Sequence, residues 1–272
     1  MKALITGGAG FVGTNLIKRL LKDEHEVVSL DNYSTGLTGN EQEGCIYHNV
    51  DIRDAVDFDF FMEKPDVIFH LAALPRIQPS FEAPAITFEA NVLGTMNILE
   101  WARKNNTPVV YAGSSSTHGG VYKNPYTFTK WQGEELCKMY SEIYDLPTSI
   151  CRFYNVYGPH HLTEGEYCTV IGIFEKQYHD IVDGLMRCSE HFSFRAEEFE
   201  LGYGENFSIN VIADSFDGTK QYIDERPGEV RETLCTDKKA HELLGWKPTR
   251  NILDYIEDFK NEIDFIHNTL PK

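Results

Sequence analysis

Residues 6–13 read Thr-Gly-Gly-Ala-Gly-Phe-Val-Gly, and the glycines at 7, 10 and 13 keep the spacing G-x-x-G-x-x-G. The stretch follows a short apolar run at 3–5. It opens a segment in which Phe11, Val12, Leu16, Ile17, Leu20 and Leu21 recur on one helical face. Strand, glycine turn and helix in that order let a backbone turn tightly, admit a pyrophosphate and aim helix N–H groups at it. Gly7, Gly10, Phe11, Val12 and Gly13 are therefore the first candidates for a dinucleotide cradle. A glycine triplet also suits a merely flexible turn, so the weight rests on its surroundings.

Further apolar runs follow at 27–30, 45–47, 67–71, 109–112 and 149–153, alternating with helix-period segments such as 86–101. Nearly continuous apolar strands between helices predict an α/β fold, a doubly wound parallel sheet covered on both faces. Asp31 ends the second run, 18 residues after Gly13, near the position that bonds a ribose 2′-hydroxyl. Asn32 adjoins it, and the plainer reading of the pair is a solvated turn. No Lys or Arg occurs between 24 and 52, so nothing local would hold a 2′-phosphate, which favours NAD over NADP. Asp51, with Ile52 after it, is either a cap or an adenine contact. Leu71, Ala72 and Ala73 offer small residues where a dinucleotide would pass the fourth strand.

The chain has 272 residues, with 25 Lys+Arg against 42 Asp+Glu and a net charge of −17. This balance argues against nucleic acid or anionic membrane as general partners. Its apolar stretches fall short of the roughly 18–20 residues that span a bilayer. No signal peptide is read ahead of the first strand, so a cytoplasmic protein is expected. The cysteines at 45, 137, 151, 168, 188 and 235 are scattered, which predicts reduced thiols and no metal site; the adjacent His160 and His161 are poor chelators. After about residue 158 the pattern becomes helical with short strands read at 200–203 and 233–235. Asp237 and Gly245 frame a helix as N-cap and C′ residue, with Pro248 as a stop. The domains read as 1–157, dinucleotide-binding, and 158–272, a smaller α-rich substrate lobe.

Tyr126 and Lys130 stand four residues apart at the start of a helical stripe, so both side chains leave one face. A lysine ammonium beside a phenol lowers its pKa from about 10 toward that of a general base. Such a pair also arises by chance on surfaces. Here Ser114, Ser115 and Ser116 follow the fifth strand, where a sheet's carboxyl end meets a ligand.

The motifs GGAGFVG, Asp31, DIRD at 51–54, HLAA at 70–73, NVLGT at 91–95, SSS at 114–116, Y-x-x-x-K and RFYNVYGP at 152–159 come in a characteristic order. With GYGENFSIN, RPGEVR and LLGWKP further on, the chain resembles the NAD-dependent nucleotide-sugar epimerase/dehydratase family of extended short-chain dehydrogenases/reductases, closest in pattern to UDP-hexose 4-epimerases. The resemblance implies a Rossmann-type sheet, NAD as cofactor and a UDP-linked sugar as substrate. It makes Tyr126 the base, with Lys130 lowering its pKa and holding the nicotinamide ribose, and Ser114 the hydrogen-bond partner of the reacting oxygen. Asn155 and Arg231 match positions that hold the nucleotide diphosphate, and Ser115 and Ser116 face the substrate. The family's 4,6-dehydratases carry acidic residues where this chain has Ser115 and Ser116, which points to a 4-epimerase over a dehydratase or decarboxylase. A non-catalytic NAD-binding regulator is the reading of another class, opposed by the intact Ser114, Tyr126 and Lys130. His118, in a slot where the family has tyrosine, is either a catalytic acid or a loop residue. Apolar residues on more than one face of the helix from Tyr126 to Tyr144 predict a homodimer.

Two departures from the family pattern stand out. Ser114 and Tyr126 are only 12 residues apart, which trims one active-site loop. The G-D-G…R-D-F strand pair expected before IVDGLMR is absent, and Tyr178-His179-Asp180 runs straight into Ile181. Apolar residues at 170, 174, 178, 181 and 185 keep helical period across that junction, so either one fused helix forms there or the sequence lacks a segment.

Overall fold

Lys2–Thr6 (β1) pairs in parallel with Glu26–Asp31 (β2) on one side and with Val67–His70 (β4) on the other. Ile46–Asn49 (β3), Val109–Ser114 (β5), Thr148–Phe153 (β6) and Glu197–Leu201 (β7) complete a seven-stranded sheet in the order β3-β2-β1-β4-β5-β6-β7, every pairing parallel. The computed structural model describes residues 1–54, 61, 63–156, 160, 178–192, 195–215, 222, 224–249, 251–254 and 256–257. The order reverses between β1 and β4, and their carboxyl ends open the crevice in which such sheets bind ligands.

Side-chain alternation along the strands builds two cores. Ala3, Ile5, Val67, Phe69, Val110 and Cys151 face Leu16, Ile17 and Leu20 of Phe11–Lys22 (α1). On the opposite face, Leu4, Val28, Ile68, Val109 and Ile150 pack with Ile98, Leu99 and Ala102. The connection after β4 carries Ile77–Glu82 (α2), Pro84–Phe88 (α3) and Gly94–Asn105 (α4), with a π-helical turn, Glu89–Leu93, joining the last two. The helix read over 86–101 is thus present but widened at that turn, a feature that often accompanies a site. Asn91 in the turn uses its amide to bond Leu74 N, Leu74 O and Thr129 Oγ1. It therefore ties the segment after β4 to Pro125–Tyr144 (α5), whose Cys137 and Tyr140 join the second core.

Tyr178–Glu190 (α6) covers the first face beside α1, burying Ile181, Val182 and Leu185. α6 and β7, both beyond residue 157, join the layered unit. Parallel pairing with β6 over Ser149–Phe153 recruits β7 to the sheet. The strand read at 200–203 starts earlier, and residues 233–235 are not a strand. Two short helices follow, Ile209–Asp214 (α7) and Lys239–Leu244 (α8). Gly245 closes α8 at φ 62°, as expected, whereas the N-cap position falls on Lys238 and Asp237 stands one residue earlier, its Oδ1 accepting from Lys239 N at 2.7 Å. Positions 170 and 174 of the possible fused helix lie outside the described residues, as does Cys168; the described cysteines are free thiols. Among the described residues no helix is long and apolar enough to cross a membrane.

Candidate active site

The turn after β1 is shaped by contacts that leave no room for side chains. Gly7 has φ +78°, and a β-carbon there would lie 2.8 Å from Ala72 N; one on Gly13 would lie 2.2 Å from Gly7 O. Gly10 caps α1 in extended conformation, leaving the first N–H groups of the helix directed at the crevice, with Phe11 and Val12 in the opening turn. Asp31 is buried at the end of β2, where Oδ2 accepts from Ala9 N at 2.9 Å and Oδ1 from Tyr33 N at 2.8 Å. Burial pushes its carboxyl up, and the two amides oppose that.

The neighbouring strand end is joined to it. Asn32 Nδ2 donates to Asp51 Oδ2 at 2.9 Å, and Arg53 holds the same carboxylate through Nε and Nη2. Arg53 and Asn32 keep Asp51 down at about 2 despite partial burial. Asp51 is thus both a turn cap, accepting from Arg53 N, and part of the rim. Ile52 is buried and reaches Gly94 at the start of α4. On the β4 side Leu71 N donates to Thr6 O and Ala72 N to Thr6 Oγ1, which brings the small residues Ala72 and Ala73 up to the glycine turn.

Ser114 ends β5 and caps the turn Ser115–Gly119, its Oγ 2.9 Å from Ser116 Oγ. Asn124 caps α5 by accepting from Thr127 N, so Tyr126 and Lys130 lie on the helix's first turns, facing the sheet. Burial is the larger effect on the Tyr126 phenol and pushes its pKa up, while the Ser114 hydroxyl and the charge of Arg76 oppose that. Lys130 lies over the Tyr111 ring, 4.2 Å from its centroid, and burial brings its ammonium down to about 8. Arg76 has φ 145°, a strained backbone held just before α2.

The cradle and the dyad meet through a buried bridge: His70 lies 2.7 Å from Thr6 Oγ1 and 2.9 Å from Thr95 Oγ1, with its ring 5.6 Å from that of Tyr111. Ser115 is buried and Ser116 half-buried beside Ser114. Asn155 is exposed just past β6. Arg231 is not brought into the dyad: its guanidinium is almost fully exposed and pairs with Glu225. Its neighbours do border the site, since Asn124 Nδ2 donates to Gly228 O and a β-carbon on Gly119 would strike Val230. His118 pairs with Glu200 Oε1 at 2.9 Å and stacks near Tyr154. Motif reading passes over Ser80, whose Oγ accepts from Tyr126 N at 3.1 Å, and Glu134 and Arg152 beneath Ser114. The signal for Glu134 is its helical interval from Lys130.

Comparison with known proteins agrees with this geometry. The NAD dependent epimerase/dehydratase family matches residues 3–186. The chain belongs to that family. The UDP-glucose 4-epimerase of Mycolicibacterium smegmatis is 30% identical over 315 aligned positions, which cover 96% of this chain and 99% of that one. UDP-glucuronic acid decarboxylase 6 of Arabidopsis thaliana is 26% identical, covering 96% and 89%. The Thermotoga maritima UDP-glucose 4-epimerase structure, at 23% identity, shares the fold with a TM-score of 0.88 over the whole of both chains. The 315 aligned positions exceed the 272 residues here by 43, so the Mycolicibacterium relative carries segments that this family member lacks.

NAD is the cofactor of the family, and the residues present fit it. Gly7 and Gly13 clear the approach to the helix N-terminus, Asp31 offers a carboxylate at the ribose position, and the Arg53 guanidinium on the neighbouring rim is engaged by Asp51. When bound, NAD supplies a hydride acceptor that can return the hydride. The chain's own part is to hold it at the crevice.

Proposed function

We propose that this chain epimerises a nucleotide sugar at C4, with UDP-glucose/UDP-galactose or their N-acetyl forms as substrates. The observation that carries the reading is the placement of Ser114 at the carboxyl end of β5 against α5, on whose first turns Tyr126 and Lys130 leave one helix face. Tyr126 Oη takes the proton of the sugar hydroxyl as the C–H bond gives up hydride, leaving a 4-keto sugar and a neutral phenol. Ser114 holds the oxygen as it becomes a carbonyl. After the keto sugar turns over, Tyr126 returns the proton and the inverted alcohol forms. Ser115 and Ser116, where an acid pair would drive elimination, support epimerisation over dehydration.

In this reading the segments after β7, notably residues 224–231, supply the substrate side. Arg231 would have to leave Glu225 to reach a diphosphate. The protein works in the cytoplasm as a homodimer. Exposed Leu93, Met96, Met139 and Ile143, on α4 and α5 or the π-helical turn between them, supply the apolar face for a second copy. Sedimentation equilibrium giving a monomer at micromolar concentration would remove the dimer. The reaction is tested by a panel of UDP- and dTDP-sugars with products analysed by NMR. A C4 epimer without net NADH production is expected; a 4-keto-6-deoxy sugar or CO₂ release would replace epimerase by dehydratase or decarboxylase.

A further inference from the structure

Glu134 stands one helical turn beyond Lys130 on α5, the interval that also separates Lys130 from Tyr126, so all three leave one helix face toward the sheet. It is fully buried. Oε1 accepts from the Ser114 amide at 3.2 Å, and Oε2 accepts from Nε and Nη2 of Arg152 at 3.1 and 2.6 Å. Both oxygens accept from donors, the pattern of an ionised carboxylate. A β-carbon on Gly113 would lie 2.7 Å from Oε1, so glycine before Ser114 lets the carboxylate reach the strand. Arg152 offsets the burial of this charge and also touches Glu198 and Glu200 on β7.

We propose that Glu134 is a positioning residue of the Ser114–Tyr126–Lys130 set: its carboxylate anchors the Ser114 main chain and supplies the counter-charge that keeps buried Lys130 protonated. The proposal deepens the reading of this site as an acid–base centre and rests on it. The Ser114 hydroxyl opposes the burial that raises the Tyr126 phenol, so displacement of the Ser114 amide alters that influence. Burial drives Lys130 toward the neutral amine, and Glu134 is the leading charge that opposes it. The other titratable or charged groups around the pair are Tyr111 on β5, His70 on β4, Cys137 on α5, Arg152 on β6, and Glu198 with Glu200 on β7.

Glu134→Gln keeps the size and one acceptor oxygen and removes the charge. The test follows Lys130 Cε by NMR in the ¹³C-lysine-labelled, NAD-loaded protein, with Lys130→Met for assignment, beside the pH profile of turnover. Expected are a Lys130 midpoint about one pH unit lower, an alkaline limb moved in the same direction, and kcat down about tenfold or more with KM within about threefold. An unchanged midpoint and limb would overturn the proposal even if kcat falls, because a packing role does not set the charge of Lys130. The NMR midpoint is read without a sugar substrate, so a shifted midpoint with no epimerase activity separates failure of the functional reading from failure of this one. Should Glu134→Gln not fold, Glu134→Asp keeps the charge but is too short for both contacts. It is expected to hold the midpoint within about half a unit while kcat falls, and wild-type kcat in that variant overturns the anchoring role.

Discussion

The carboxylate of Asp31 accepts the amide hydrogen of Ala9 at 2.9 Å, tying the carboxyl end of β2 to the middle of the glycine turn. The carboxylate therefore helps hold the glycine turn in shape. With its other oxygen on Tyr33 N, it satisfies two amides at a nearly buried site. Asp31→Ala leaves both donors unpaired, at about 1–3 kcal/mol each if water does not replace the carboxylate. We expect a urea midpoint clearly below wild type and at least tenfold weaker NAD binding by calorimetry. NAD affinity equal to wild type would remove Asp31 from the cofactor site.

Gly13→Ala sets two effects against each other. Alanine is favoured over glycine inside a helix by about 1 kcal/mol. The added β-carbon, however, would lie 2.2 Å from Gly7 O and 2.7 Å from Gly8 Cα, backbone atoms that cannot rotate away. Overpacking of this kind costs about 1–3 kcal/mol, so the clash wins. The variant should melt below wild type and purify with less NAD; a Tm at or above wild type would show that the turn is looser than its contacts imply.

Tyr126→Phe removes the proton acceptor and leaves the ring. Turnover should fall by about 10²–10⁴, the usual contribution of a positioned acid–base group, with NAD still bound. Ser114→Ala takes away the hydroxyl that pulls the phenol down, leaving burial to push its pKa further up. Its turnover should fall less than that of Tyr126→Phe, and the acid limb of its pH profile should move to higher pH. An acid limb in the wild-type position would mean that Ser114 does not act on the phenol.

The doubly wound sheet is legible in the sequence because strands buried on both faces must be nearly all apolar, and 3–5, 27–30 and 67–70 are. The cradle is legible because only glycine tolerates the approach of Gly7 to Ala72. What escapes is what depends on partners far along the chain. Arg152 opens a recognisable motif, but nothing local says that its guanidinium turns under Ser114 to meet Glu134. Arg231 shows the reverse: its motif marks it for the diphosphate, while its guanidinium pairs with Glu225 at the surface. The division at residue 157 follows the change in sequence texture. β7 lies beyond that change yet joins the sheet, because a strand's membership is decided by its pairing, here with β6, and not by its place in the chain.

His70 gives the fold a predictable acid weakness. It is 1% exposed, held between Thr6 and Thr95, and burial with the nearby charge of Lys130 brings its imidazole down to about 3. Below its ordinary pKa of about 6.5 the unfolded chain takes up a proton that the folded one refuses, so stability falls as pH drops from there toward 3. The slope is at most about 1.4 kcal/mol per pH unit, which makes the contribution at pH 5 about 2 kcal/mol smaller than at pH 7. Urea unfolding of wild type and His70→Gln at both pH values isolates this effect, because every other titrating group is common to the two proteins. The variant should be less stable than wild type at pH 7, having lost one threonine contact, and the gap should narrow or reverse at pH 5. A gap of the same size at both pH values would mean that His70 titrates alike in the folded and the unfolded chain.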